Sequence, residues 1–174
     1  MISNKRFVTP IVTVLCAVLF STCTVNYSFT GASIPIEAKT FYIKPFSNMA
    51  PTVNPQLAPL LSEKLNDQIM SATSLISARV DGDMQFEGTI VGYSISPVAL
   101  QGGEVTVAAK NRLTITIKVK FQNRYEPKND FETNFSQYED FDSGVDLISV
   151  EQTLTEQIVE KLVTDIFNKA FVNW

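Results

Sequence analysis

Two stretches of this chain repeat apolar residues with the period of a helix, and several shorter ones alternate with the period of a strand. Leu57, Leu61, Leu65 and Ile69 recur every fourth position, and Leu60 widens the stripe. This predicts a helix over 55–72. Asn54 can cap it, Pro55 suits its first turn, and Pro59 still falls early enough to be tolerated. Thr73 and Ser74 end it. From Asp146 to about Val172 a second stripe runs through Leu147, Val150, Leu154, Ile158, Leu162, Ile166 and Phe171, with Phe167 beside it. Glu151, Glu156, Glu160, Lys161 and Asp165 lie off that stripe, as an amphipathic helix requires.

The strand signals lie mostly between these helices. Leu113, Ile115, Ile117, Val119 and Phe121 alternate with Thr114, Thr116, Lys118, Lys120 and Gln122, giving one dry and one wet face. Thr40 to Lys44 reads as a short strand that stops at Pro45, with a loop to Asn54. Leu75–Val80 and Met84–Ile95 flank Asp81-Gly82-Asp83, and Asp-Gly between β-rich runs is a hairpin signal. In the second of these runs the alternation shifts. Phe86 and Ile90 share one face, whereas Val91, Tyr93 and Ile95 share the other, and Gly88 and Gly92 suit a bulge or a close backbone approach. Pro97 ends that strand, and Val98 to Asn111 is a longer connection through Gly102-Gly103. After a turn containing Pro127, Phe131, Thr133 and Phe135 begin a last strand, which runs to about Phe141. Asp142-Ser143-Gly144 then breaks the sheet. The order is β-α-β-β-β-β-α. The fold class expected is α+β: a two-layer sandwich, with a mainly antiparallel four- to five-stranded sheet covered by two amphipathic helices.

The first residues follow a different pattern. Lys5 and Arg6 precede an apolar run from Phe7 to Phe20, broken only by Thr9, Pro10 and Thr13. Ser21-Thr22-Cys23 follows, and the chain then turns polar. A basic start, a short apolar stretch and small residues at its end describe a secretory signal peptide, and the run is short for a membrane span. Leu19 to Cys23 resembles the bacterial lipobox, with Phe20 where an aliphatic residue is usual and Thr22 where Gly or Ala is usual. That resemblance implies cleavage before Cys23 and acyl chains on its thiol, more than one of which makes attachment stable. An ordinary signal peptide with a chance cysteine is the alternative. The expected organisation is a leader over 1–22, a lipidated tether over 23–38 and a single α+β domain over 39–174.

Composition narrows the chemistry. With 45% hydrophobic and 18% charged residues the chain is globular in kind. The net charge is −4, and loss of Lys5 and Arg6 with the leader makes the body more acidic still. That argues against nucleic acid as a partner. The chain contains no histidine, and its two cysteines are Cys16 and Cys23. Ser-His-Asp and Cys-His nucleophilic systems and the usual zinc sites are therefore excluded from the domain. No catalytic residue, metal site or cofactor is expected. Glu139, Asp140 and Asp142 form an acidic cluster that lacks the spacing of a calcium loop. Such residues suit the approach to a helix N-terminus. Lys110, Arg112, Lys118 and Lys120 place positive charge along one strand and its entry, and the last three share the wet face by parity. They can meet the phosphates of an anionic lipid, or they are an ordinary solvated strand face.

Several of these segments carry a resemblance. Tyr27 to Pro35 (YSFTGASIP), Thr40 to Asn48 (TFYIKPFSN), Asp83 to Tyr93 (DMQFEGTIVGY) and Asn111 to Ile117 (NRLTITI) are similar to the LptE family of lipopolysaccharide-assembly lipoproteins. Asp130 to Ser136 (DFETNFS) and Phe141 to Gly144 (FDSG) fit as well. The resemblance implies a sheet with two helices, tethered through Cys23 on the periplasmic side of the outer membrane. It also implies an LptD-like outer-membrane β-barrel as partner, whose lumen the lipoprotein plugs, and delivery of lipopolysaccharide to the cell surface. Arg112, Lys118 and Lys120 are the candidate lipopolysaccharide contacts, taken from charge and parity alone. The alternative function is a free periplasm-facing lipid carrier, which needs a pocket opening between sheet and helices. A carboxylate enzyme would need a cleft with two facing acids.

Overall fold

A computed structural model of the protein describes residues 34–52, 54–98 and 110–172. The leader, Cys23 and the Gly102-Gly103 connection lie outside the described residues. The elements are β1 (Thr40–Asn48), α1 (Leu57–Ala72), β2 (Ile76–Ser77), β3 (Met84–Val98), β4 (Lys110–Asn123), a 3-10 turn at Pro127–Asn129, β5 (Phe131–Asp142) and α2 (Leu147–Phe171). The strands form one sheet in the order β2-β1-β3-β4-β5. β3, β4 and β5 are an antiparallel meander. β1 runs parallel to both its neighbours, so the α+β, two-layer reading stands but the sheet is mixed.

The parallel half corrects the hairpin expected at Asp81-Gly82-Asp83. β2 pairs with β1, not with β3, and the chain crosses from one side of β1 to the other. Asp81 takes a positive φ of 51°. A Cβ on Gly82 would lie 2.6 Å from the backbone of Phe41 and Tyr42, so the crossing needs glycine for contact with β1. Asp83 then ties the crossing down. Its Oδ2 accepts the Lys39 and Thr40 backbone N–H groups, each at 3.0 Å, and the Thr40 hydroxyl at 2.8 Å. Those three donors, the Lys39 N–H foremost, hold its carboxyl below the usual carboxylate range.

β1 also runs on past Pro45, where the strand was expected to stop. The register shifts between Lys44 and Ser47, with Pro45 and Phe46 facing Gly88 alone. This is a bulge, one of the few sheet positions that tolerates proline. A second bulge explains the shifted alternation in β3. Ile90 faces Ile117 and Gly92 faces Thr116, so Val91 is the extra residue. The bulge returns Tyr93 to the same buried face as Phe86 and Ile90. α1 begins at Leu57, later than expected. Asn54 still serves its start, because its side-chain oxygen accepts from the Gln56 N–H at 3.0 Å.

Among the described residues, helices cover only one face of the sheet. Leu113, Ile115, Ile117, Val119 and Phe121 of β4 are fully buried together with Leu57, Leu61, Leu65 and Ile69 of α1 and Ile158, Leu162 and Ile166 of α2. An aromatic group closes the end near the α2 C-terminus. Phe86 and Phe121 lie 4.8 Å apart between ring centres, and Phe171 lies 6.0 and 6.2 Å from them. The opposite face carries no helix among the described residues.

Candidate functional site

The uncovered face of the sheet gathers the charged and hydroxyl side chains that strand parity turns away from the helices. Along its centre run hydroxyl pairs across neighbouring strands: Ser47 with Thr89 at 3.0 Å and Thr116 with Ser136 at 2.9 Å. Charged pairs flank them. Lys44 meets Glu87 at 2.6 Å, and Lys118 meets Glu132 at 2.5 Å. The Lys118 N–H bond, then its charge, lowers the Glu132 carboxyl below its ordinary value. Lys120 sits in register between Glu87 on β3 and Glu132 on β5.

Arg112 is the most constrained cation here. Its Nε and Nη2 donate to the two oxygens of Asp140 at 2.7 and 3.0 Å, a two-pronged pairing that fixes the guanidinium plane. The guanidinium also lies 3.6 Å above the Tyr138 ring centre, close enough for cation–π attraction. The hydrogen bond from Arg112 holds Asp140 below the usual carboxylate range.

The structure thus brings Arg112, Lys118 and Lys120 onto one face, and it gives the first two a carboxylate each. Cys23 lies outside the described residues. The acidic cluster is placed differently from expectation. Glu139, Asp140 and Asp142 belong to β5, where Glu139 reaches Lys161 of α2 at 2.7 Å and Asp140 holds Arg112. The residue that caps α2 is Asp146, whose side chain accepts the Ile148 N–H. Alternation separates Glu139 from its neighbours: it points to the helices, Asp140 and Asp142 to the open face. Among the described residues no group of three candidate metal ligands is present, and no helix is long and apolar enough to cross a membrane.

Single-residue reading missed a partly buried polar pair at the other end of the core. Tyr93 donates its hydroxyl proton to Glu151 at 2.5 Å, and Asn54 donates to the same carboxylate oxygen at 3.1 Å. Burial first, then the bond to Glu151, pushes the Tyr93 pKa up to about 12. Helical periodicity put Glu151 off the apolar stripe, and its partner could be named only once the β3 bulge had turned Tyr93 to the buried face. This pair joins β3, α2 and the start of α1. It fastens these elements to one another.

Comparison with known proteins adds a family and a fold. The family model LptE, described as lipopolysaccharide-assembly, matches residues 38–170. None of the curated proteins matches the chain in sequence. The crystal structure of the hypothetical protein CT253 from Chlamydia trachomatis is similar with a TM-score of 0.52 at 6% identity, covering 78% of this chain and 99% of that one. It shows a shared fold. A minor lipoprotein from Acinetobacter baumannii gives a TM-score of 0.41 at 13% identity, covering 71% of this chain and 89% of its own.

Proposed function

Because the chain belongs to the LptE family of lipopolysaccharide-assembly proteins, we propose that it is an outer-membrane lipoprotein that plugs an LptD-like β-barrel and helps it form. On this reading residues 1–22 are a leader, Cys23 carries the acyl chains, 23–38 is the tether and 39–174 is the working domain on the periplasmic side. Its role is assembly and positioning in lipopolysaccharide transport, without catalysis.

The observation that carries the reading is the two-sidedness of the sheet. One face is sealed by helices, and the other is a ladder of hydroxyls and matched charges. A large outer-membrane barrel has a polar, wetted interior. A surface of this kind can exchange water for hydrogen bonds to such a wall without burying unpaired charge. Arg112, Lys118 and Lys120 are the proposed meeting points for lipopolysaccharide phosphates. The free-carrier alternative finds little support, because the layer between sheet and helices is filled by Phe86, Phe121 and Phe171 and by the leucines of both helices.

The test is co-purification from membranes in mild detergent. A large β-barrel is expected to come with the tagged protein, and depletion of the protein is expected to lower surface lipopolysaccharide. Recovery without any barrel would overturn the reading. Cys23→Ala is expected to abolish acyl labelling and release the protein from the membrane.

A further inference from the structure

Exposed aliphatic side chains scattered singly are ordinary on a folded surface, but several gathered at one place call for an explanation. At the end of the sheet where β1 and β3 begin, three loops are tied to one another. The Ile76 N–H donates to the Lys39 carbonyl at 2.9 Å, and the Arg124 N–H donates to the Asp83 carbonyl at 3.0 Å. Asp83 in turn binds the Lys39 and Thr40 N–H groups, and the Arg124 side chain reaches Asp81 at 2.9 Å. Each loop brings a large apolar residue to this rim. Ile36 lies inside the turn closed by the Ala38 N–H on the Pro35 carbonyl. Ile76 pairs with Thr40. Val80 immediately precedes Asp81, and Tyr125 immediately follows Arg124. Ile36, Ile76 and Val80 are 82%, 69% and 76% exposed, and Tyr125 is 44% exposed. Side chains so open to solvent add little to the core, so the fold does not account for them.

The charge of the rim suits a lipid surface. Asp81 and Asp83 are answered by Arg124. Glu37, Glu126 and Asp130 are matched in number by Lys39, Arg79 and Lys128, so the rim is close to neutral on an acidic protein. Lys39 and Arg79 are exposed. Their apolar stems can lie against lipid while the charged heads stay in water. Aliphatic residues beside a tyrosine and such cations have the composition of a membrane-interface patch.

The chain enters the domain at the same rim. The described residues begin at Ile34, next to the Pro35 turn. From Cys23 to Ile34 the chain spans at most about 38 Å when extended. Apolar side chains are exposed towards the far end as well, Met49 and Ile148 among them. Contact with the anchoring bilayer at that end would draw the tether nearly taut along the domain, because β3 alone rises about 45 Å from Met84 to Val98. Contact at the rim leaves the tether slack.

We propose that Ile36, Ile76, Val80 and Tyr125 form a foot that rests on the phospholipid bilayer holding the acyl chains of Cys23. The domain then stands on this rim, with the tip formed by the end of β3 and the start of β4 turned away from the membrane. So few apolar side chains bind a bilayer weakly by themselves. Held within a tether's length of it, they meet lipid at a high effective concentration. The inference rests on the lipoprotein reading for its anchor and does not require a barrel.

The test uses the full-length processed protein, reconstituted without a barrel into vesicles of phosphatidylethanolamine and phosphatidylglycerol. With Cys16 lost in the leader and Cys23 acylated, Val80→Cys or Ile148→Cys supplies the single thiol for a polarity-sensitive fluorophore. Lipid brominated in its acyl chains is expected to quench the probe at position 80 at least about threefold more than the probe at position 148. Adding Ile36→Ser and Ile76→Ser to Val80→Cys is expected to abolish that excess while the unfolding midpoint stays unchanged, since both residues are exposed. Equal quenching at the two positions overturns the proposal, and so does quenching that the serines leave intact. A probe at position 80 that leaves water only when a barrel is added also overturns it, assigning the rim to a protein partner. A product whose mass shows no acyl chains on Cys23 sinks the lipoprotein reading and this proposal with it. An acylated product whose probe at position 80 stays in water sinks this proposal alone.

Discussion

Phe46 stands where Gly88 leaves room for it. A Cβ on Gly88 would come within 2.7 Å of three atoms of the Phe46 ring, and both residues sit at the bulge that carries β1 past Pro45. Gly88→Ala is expected to destabilise the fold by about 1–3 kcal/mol, the usual cost of overpacking. Denaturant unfolding would measure it, and Phe46→Leu in the same chain should recover part of the loss, because a smaller side chain vacates the clash. Without that coupling the effect would belong to β3 alone. Two ionisable residues set the pH limits. Asp83 has a depressed carboxyl pKa in the folded chain, chiefly from the Lys39 N–H. Its contribution is therefore present above the ordinary carboxylate range, about pH 4, and is lost as pH falls through the depressed value. Asp83→Asn is expected to flatten the acid side of the stability curve. Tyr93 has the opposite sign at the other end. Its pKa rises from 10.0 to about 12, so stability is full below pH 10 and is lost between the two values as the unfolded chain ionises first. Tyr93→Phe should remove that alkaline loss, read from unfolding midpoints across the range. Glycines 88 and 92 were legible in the sequence as bulge or contact positions. The partners of Asp83 and Tyr93 were not, because both lie on segments distant in sequence.

At the scale of elements, the strongly periodic segments read true and the short ones were decided by tertiary contact. Residues 57–72 and 147–171 are helices because each apolar stripe has a sheet to cover. β4 alternates along its whole length and is buried on one side as its pattern requires. The Asp-Gly signal misled because it presumes two strands that can pair with each other. Ile76–Ser77 is only two residues long with both side chains exposed, and β1 already occupies the edge of β3. The Asp83 bonds to Lys39 and Thr40 settle that competition, and nothing local to 75–83 announces them. The acidic cluster failed for a related reason. Charge near a helix start is favourable, yet Arg112 and Lys161 offer closer partners across the sheet and beneath it. The capping role passed to Asp146, which meets the preference in ordinary form. Asp146→Ala is expected to cost about 1 kcal/mol, with faster exchange of the first α2 amides and no change in β4. An equal loss across both elements would mean that Asp146 does more than cap.

For the whole molecule the question is what the uncovered face is for. Its charges were visible in the sequence as cations on one parity of a strand, but their partners on β5 required the register between strands. Lys118 is held by Glu132, and Lys120 lies in register with Glu87 and Glu132. Two roles give opposite expectations for the same substitutions. If the face meets lipopolysaccharide phosphates, Glu132 competes with them for Lys118, and removing its charge should strengthen binding. Glu132→Gln is then expected to raise lipopolysaccharide retention on the immobilised full-length protein, while Lys118→Gln and Lys120→Gln lower it, and the differences should shrink as salt screens them. If the ladder only keeps an exposed sheet soluble, all three variants bind alike. Neither role makes these residues part of the core, so the unfolding midpoint should scarcely move in any of them. Phe121→Ala provides the contrast, since it opens the aromatic group between Phe86 and Phe171 and is expected to cost about 3–5 kcal/mol. Loss of retention in Lys118→Gln with a midpoint as low as that of Phe121→Ala would reflect unfolding, and the phosphate role would then have to be abandoned for that residue. Retention that follows the sign of the charge, at constant midpoint, is the outcome this arrangement of lysines and glutamates requires if the open face is where lipid meets protein.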